Sequence, residues 1–147
     1  MTSIGINMKR QKYVDKYLLN FLMQSNSLHD LLEILANVCK NLNLDYLNPK
    51  IKHFKYFQFT FFGLMVKAKG LLEMMIFRVE FLKNNLNEFS ETYSKLIKLK
   101  KNMELAYNLI NKNKMNEGKN EIIKLNKEYS ETFDDILKMC RKDNLKW

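Results

Sequence analysis

The chain has 147 residues, 46% hydrophobic and 28% charged, a composition that fits one globular domain and excludes wholesale disorder. Only 4 Gly and 1 Pro exclude the many tight turns of a β-sandwich or barrel, leaving an all-α protein. The net charge of +9 favours an anionic partner, yet the excess is spread as +4, +3 and +2 over residues 1–60, 61–110 and 111–147, without the stripe or arm typical of nucleic-acid binders.

Residues 1–8 lack the apolar core of a secretory signal peptide and are expected to be disordered. A first helix is predicted over 9–24, where Val14, Tyr17, Leu18, Phe21 and Leu22 form one helical stripe. Ser25-Asn26-Ser27 is predicted to end it. Ser27 with Asp30 resembles a capping box that opens a second helix carrying Leu28, Leu31, Leu32, Leu35, Cys39 and Leu42 on one face. That helix gives way before Pro49, which biases Asn48 away from helix.

Residues 51–62 alternate like a strand at Phe57, Phe59 and Phe61, but Ile51, Phe54, Phe57, Phe61 and Leu64 also make a helical stripe. A lone strand has no partner in this chain, so helix is the reading. From Phe61, steps of four and three reach Met65, Ala68, Leu72, Met75, Val79, Leu82, Leu86, Phe89, Tyr93, Leu96, Lys100, Met103, Tyr107 and Ile110. Lys100 is the one polar member, and the repeat is that of a helix with one seam against a partner. The flanking Leu71, Ile76, Ile97, Leu99 and Ala106 widen the stripe beyond a two-stranded seam and point to a bundle. One continuous helix over 61–110 is favoured, with Asn84–Asn87 as the place for a break and Asn85 as the cap. A turn around Asn111–Gly118 then leads into a last helix, 119–142, with Ile122, Leu125, Tyr129, Phe133, Ile136, Leu137 and Cys140 inward. The short link predicts a C-terminal antiparallel helical hairpin.

Chemistry-bearing patterns are few. His29 and His53 are isolated, no CxxC or HExxH occurs, and Gly63 and Gly70 lack a phosphate-loop context. No catalytic, cofactor-binding or metal residues are assigned. Asp134-Asp135 beside Glu131 reads as a solvated acidic face. Cys39 and Cys140 are too few and too far apart for a disulfide scaffold; they suggest reduced buried thiols and an intracellular compartment, cytoplasm or nucleus. Lys67, Lys69, Glu73, Arg78 and Glu80 interrupt the most apolar stretch, so no simple transmembrane span is expected.

Candidate partner-binding residues fall in two clusters. Lys50, Lys52, Lys55 and Tyr56 combine charge with aromatic rings, as phosphate contact plus base stacking requires. Lys95, Lys98, Lys100 and Lys101 lie mid-helix, where an acidic partner or phosphate backbone would dock, and Trp147 is a bulky ring near the end of the sequence. The expected architecture is a single domain, a four- or five-helix bundle built around the 61–110 helix. The expected role is a non-enzymatic helical interaction protein, a small basic subunit or adaptor, meeting a protein partner or forming a homo-oligomer through its helical faces. The alternative is a nucleic-acid or ribonucleoprotein binder using the surface lysines; a membrane partner is the least favoured.

Overall fold

The computed structural model describes the backbone of residues 2–41, 50 and 54–142, and side chains over 15–41, 50, 55 and 58–140. The fold is all-helical, with no strand among the described residues: α1 (Thr2–Lys40), α2 (Phe54–Asn85), α3 (Phe89–Asn111) and α4 (Met115–Lys142). Each helix packs on two others, α1 on α2 and α4, and α3 on α2 and α4, which closes a four-helix bundle around one core. Of the segment read as helix over 51–62, residues 54–62 are helical and 51–53 lie outside the described residues.

Two differences from the sequence reading concern breaks. The first is a predicted break that does not occur: α1 runs as one helix through Ser25-Asn26-Ser27 and begins ahead of Lys9. Ser25 is not a turn residue here but a core position. Leu18, Phe21, Ser25, Leu28, Leu32, Leu35 and Cys39 are all buried, at alternating steps of three and four. The Ser25 hydroxyl donates to the Phe21 carbonyl at 2.6 Å, one turn back along the helix, so its polar group is satisfied without opening the backbone. Its own carbonyl accepts the Tyr129 hydroxyl of α4 at 2.6 Å. A small polar residue in the seam thus makes room for a tyrosine and gives it an acceptor.

The second is a break where continuity was favoured: α2 ends at Asn85, and Leu86-Asn87-Glu88 turn the chain into α3. The amides of Phe89 and Ser90 donate to the carbonyls of Leu86 and Asn87, at 3.1 and 3.0 Å, which tightens the corner. Asn85 does not cap α3; its side-chain amide donates back to Phe81. Glu88 occupies the N-cap position in a helical conformation, with no side-chain cap bond. The repeat survives the corner because one half of it never changes. Phe61, Ala68, Met75, Leu82, Phe89, Leu96, Met103 and Ile110 are all buried. The other half is exchanged: Met65, Leu72 and Val79 are buried in α2, while in α3 Thr92, Leu99 and Ala106 take over. Tyr93, Lys100 and Tyr107 move to a half-exposed flank, which is why a lysine is tolerated in the series.

A third difference lies between α3 and α4. Lys112-Asn113-Lys114 form the turn, with Asn113 in the left-handed region at φ 62° and the Lys114 amide donating to Leu109 at 2.8 Å. Gly118 is therefore not in the turn but in the first turns of α4, buried against α3. A Cβ there would meet Ile110 Cγ1 at 2.6 Å, so any larger residue would have to push the Ile110 side chain aside. Contacts with rising numbers on α3 and falling numbers on α4 follow: Asn102 with Glu128, Lys95 with Asp135, Thr92 with Met139. The C-terminal helix thus begins at Met115, four residues before its predicted start.

Candidate interaction surface

The lysines singled out from the sequence do not converge. Lys95 reaches α4, donating to Asp135 at 2.9 Å, with Glu91 at 3.4 Å. The hydrogen bond to Asp135, followed by the charges of Asp135 and Glu91, holds its pKa above the usual lysine value. Lys100 leans the other way, towards Glu73 of α2 at 3.9 Å, beside the Lys69–Glu104 pair at 3.8 Å. Lys98 and Lys101 lie between them on the solvent side. The group is therefore divided between two rims and an outer face. In the other cluster Lys50 and Lys55 are exposed, Lys52 lies outside the described residues, and so does the side chain of Tyr56. Trp147 also lies outside the described residues.

Other polar groups are used by the fold. His29 sits edge-on to Phe133 at 4.6 Å between ring centroids, with Asp30 and Glu33 within 3.7 and 3.5 Å. Cys39 and Cys140 are buried and in no disulfide, and burial pushes the Cys39 thiol up to about 12. No group of three or more metal-ligating side chains occurs among the described residues, and no described helix is long and apolar enough to cross a membrane. Between α1 and α4, a shallow cleft of about 420 Å³ is lined by Leu19, Leu22, Met23, Phe133 and Leu137.

The apolar surplus that the sequence located beside the seam is mostly absorbed. Leu99 and Ala106 are fully part of the core, and Leu71 and Ile76 pack against it. Exposed apolar side chains also occur on α1, at Leu19, Met23, Ile34 and Val38, and on α3, at Leu105, but the most exposed row is on the outer side of α2. On α2, Phe59, Val66, Met74 and Phe77 are 78%, 56%, 49% and 67% exposed. With Gly63 and Gly70 they occupy positions separated by three or four residues, so at about 100° per residue they form one stripe. That stripe lies opposite the buried row of Phe61, Met65, Ala68, Leu72, Met75 and Val79.

The two glycines mark the stripe as unusual. Glycine inside a helix costs about 1 kcal/mol relative to alanine, and Gly118 shows what justifies one: a neighbouring side chain in the space a Cβ would fill. At Gly63 and Gly70 nothing lies within 4 Å of that space. Nothing in the fold itself calls for glycine at either position. The signal is present in the sequence as Phe59-x3-Gly63-x2-Val66-x3-Gly70-x3-Met74-x2-Phe77, but the buried repeat of the same helix overlies it. Comparison with protein-family models, with curated proteins and with solved structures gives no match.

Proposed function

We propose that this chain is a non-enzymatic interaction protein, a small basic subunit or adaptor, and that it meets its partner through the outward stripe of α2. In this reading the bundle is antiparallel, its heptad-like seams bury one side of every helix, and α1 with α3 of the C-terminal hairpin supports α2 from behind. The observation that carries it is the row of exposed Phe59, Val66, Met74 and Phe77, broken by two open glycines. Covering a large apolar side chain contributes about 1.5–3 kcal/mol, and glycine lets a second backbone come close. Contiguous exposed apolar rows of this kind mark contact surfaces. The nucleic-acid alternative retains the exposed Lys55, Lys98 and Lys101, whereas Lys95 and Lys100 are engaged with carboxylates.

The test is site-specific photo-crosslinking, with benzoylphenylalanine replacing either Phe77 or Lys101, in purified protein and in extract of the source cells. Discrete protein adducts are expected from position 77 and not from position 101. Adducts from position 101 that disappear with nuclease or high salt would favour nucleic acid instead, because phosphate contacts release counterions. Absence of any adduct at position 77 removes the proposal.

A further inference from the structure

We infer that the partner on the α2 stripe is a second copy of this chain, packed antiparallel through the same six positions. The inference rests on the docking reading above and adds the identity of the occupant. Its basis is that the stripe is its own complement. A two-fold axis level with position 68 sets Val66 of one copy opposite Gly70 of the other, and Met74 opposite Gly63 to within one residue. Phe59 then lies opposite Phe77 at both ends. Each bulky side chain of the inner part thus faces a glycine, and the four phenylalanines pair as two aromatic contacts. A self-complementary patch of this kind is what a closed two-fold interface requires.

Charge gives the orientation. In an antiparallel helix pair, residues on the same flank of the stripe meet. Lys55 and Glu80 lie on the same flank, the one towards α3, and at opposite ends. The axis that matches the apolar residues also brings Lys55 of each copy to Glu80 of the other, to within one residue. Both are exposed, and neither takes part in an ion pair among the described residues. A parallel pairing would bring Lys55 level with Lys55, Glu80 level with Glu80, and glycine against glycine, leaving the bulky side chains to collide. The antiparallel register makes two like-charged approaches beside the axis. Lys69 meets Lys69 on the flank towards α3, where each is already paired with Glu104 at 3.8 Å. Lys67 meets Lys67 on the other flank, and its long stem carries the ammonium group out to water. One helix face per copy is a smaller contact than the ~1,600 Å² of a standard interface, and a weak dimer, in the roughly micromolar range, is expected.

Sedimentation equilibrium of the full chain from about 1 to 500 μM reads this directly, since a micromolar dimer crosses its midpoint inside that window. The mass is expected to climb from 17.7 kDa towards twice that value. Gly70→Leu is the decisive variant, with Gly63→Leu as its duplicate. Nothing lies within 4 Å of the Cβ position at either glycine, and leucine is a better helix former, so the monomer is expected to melt at higher temperature while the dimer weakens at least tenfold. Lys55→Glu weakens the dimer as well, and adding Glu80→Lys restores it. A wild-type chain that stays monomeric throughout overturns the inference, as does a Gly70→Leu dimer as tight as wild type, which would indicate an unspecific sticky face. The crosslinking experiment separates the two levels. Position-77 adducts only with a different protein refute the second copy and leave the docking face standing, while no adduct refutes both.

Discussion

The two faces of α2 are built from the same kinds of residue and have opposite fates. Inward, Phe61, Met65, Leu72, Met75 and Val79 are at most 3% exposed and packed among side chains of the neighbouring helices. Outward, Phe59, Val66, Met74 and Phe77 stand largely open to solvent. Apolar periodicity therefore says that a helix has something to bury, but not whether the protein itself supplies the cover. Substitution separates the faces most strongly at their centres. Leu72→Ala leaves a cavity in the core and is expected to cost about 2–5 kcal/mol. Phe77→Ser removes a larger side chain yet is expected to stay within about 0.5 kcal/mol in dilute protein, as surface changes usually do. Equal losses in denaturant melts of the two variants would mean that the outward face is covered within the monomer.

The buried side also holds acids whose protons folding protects. Burial pushes the Cys39 thiol from its ordinary 9.0 up to about 12, and the buried Tyr129 phenol well above its ordinary 10.0. Both groups are neutral when protonated, so the folded state holds protons that the unfolded chain releases from about pH 9 upward. Stability is then fully present below about pH 9 and falls as the pH rises towards about 12. Thermal melts at about pH 8, 10 and 11 are expected to show a progressive drop in Tm. Tyr129→Phe loses the hydrogen bond to Ser25 and costs about 1 kcal/mol near pH 8, and its deficit shrinks above about pH 10, where the wild-type phenol becomes a liability. A deficit that does not change with pH would place the Tyr129 hydroxyl in water.

The sequence is a sound guide wherever local pattern and tertiary packing agree. The all-helical class, the inward rows of α2 and α4 and the buried cysteines follow from spacing and composition alone. The corner at Leu86–Glu88 falls close to the break site offered at Asn84–Asn87, but continuity is favoured because the residues at seven-residue intervals, Leu82, Phe89 and Leu96, stay buried on both sides of the turn. The exchange of Tyr93 for Thr92 at the core is visible only when the neighbouring helices are in place. Ser25 misleads for a different reason. Serine favours caps when its hydroxyl has no better use, and here the Phe21 carbonyl supplies one within the helix, while the Tyr129 hydroxyl takes the Ser25 carbonyl from 104 residues away. The outward stripe is hard to read because a helix apolar on two sides looks simply like a more hydrophobic helix.

The glycines compare the faces at smaller scale. Gly118→Ala forces a Cβ against the buried Ile110, and overpacking of this kind costs about 1–3 kcal/mol, more than the helix propensity it gains. Gly70→Ala meets nothing and is expected to raise the stability of the monomer by about 0.5–1 kcal/mol. Opposite signs from the same substitution, in the same fold, would be the signature of one glycine required by the fold and another kept for something outside it. Destabilisation by Gly70→Ala in dilute protein would show a hidden neighbour at that position.

The smallest effect belongs to the charged rim between the faces. Lys95 bridges Glu91 and Asp135 and is 41% exposed, so the pair is largely screened and contributes under about 0.5 kcal/mol. Lys95→Met is expected to lower Tm by about 1–2 °C at low salt, and the difference should vanish near 1 M salt, where charges are screened within about 3 Å. A larger and salt-resistant loss would mean that Lys95 sets how α3 and α4 are aligned, by its packed stem rather than its charge. In that case the rim would belong with the inward face, and the lysines left to meet a partner would be Lys98 and Lys101, which face water from the same helix.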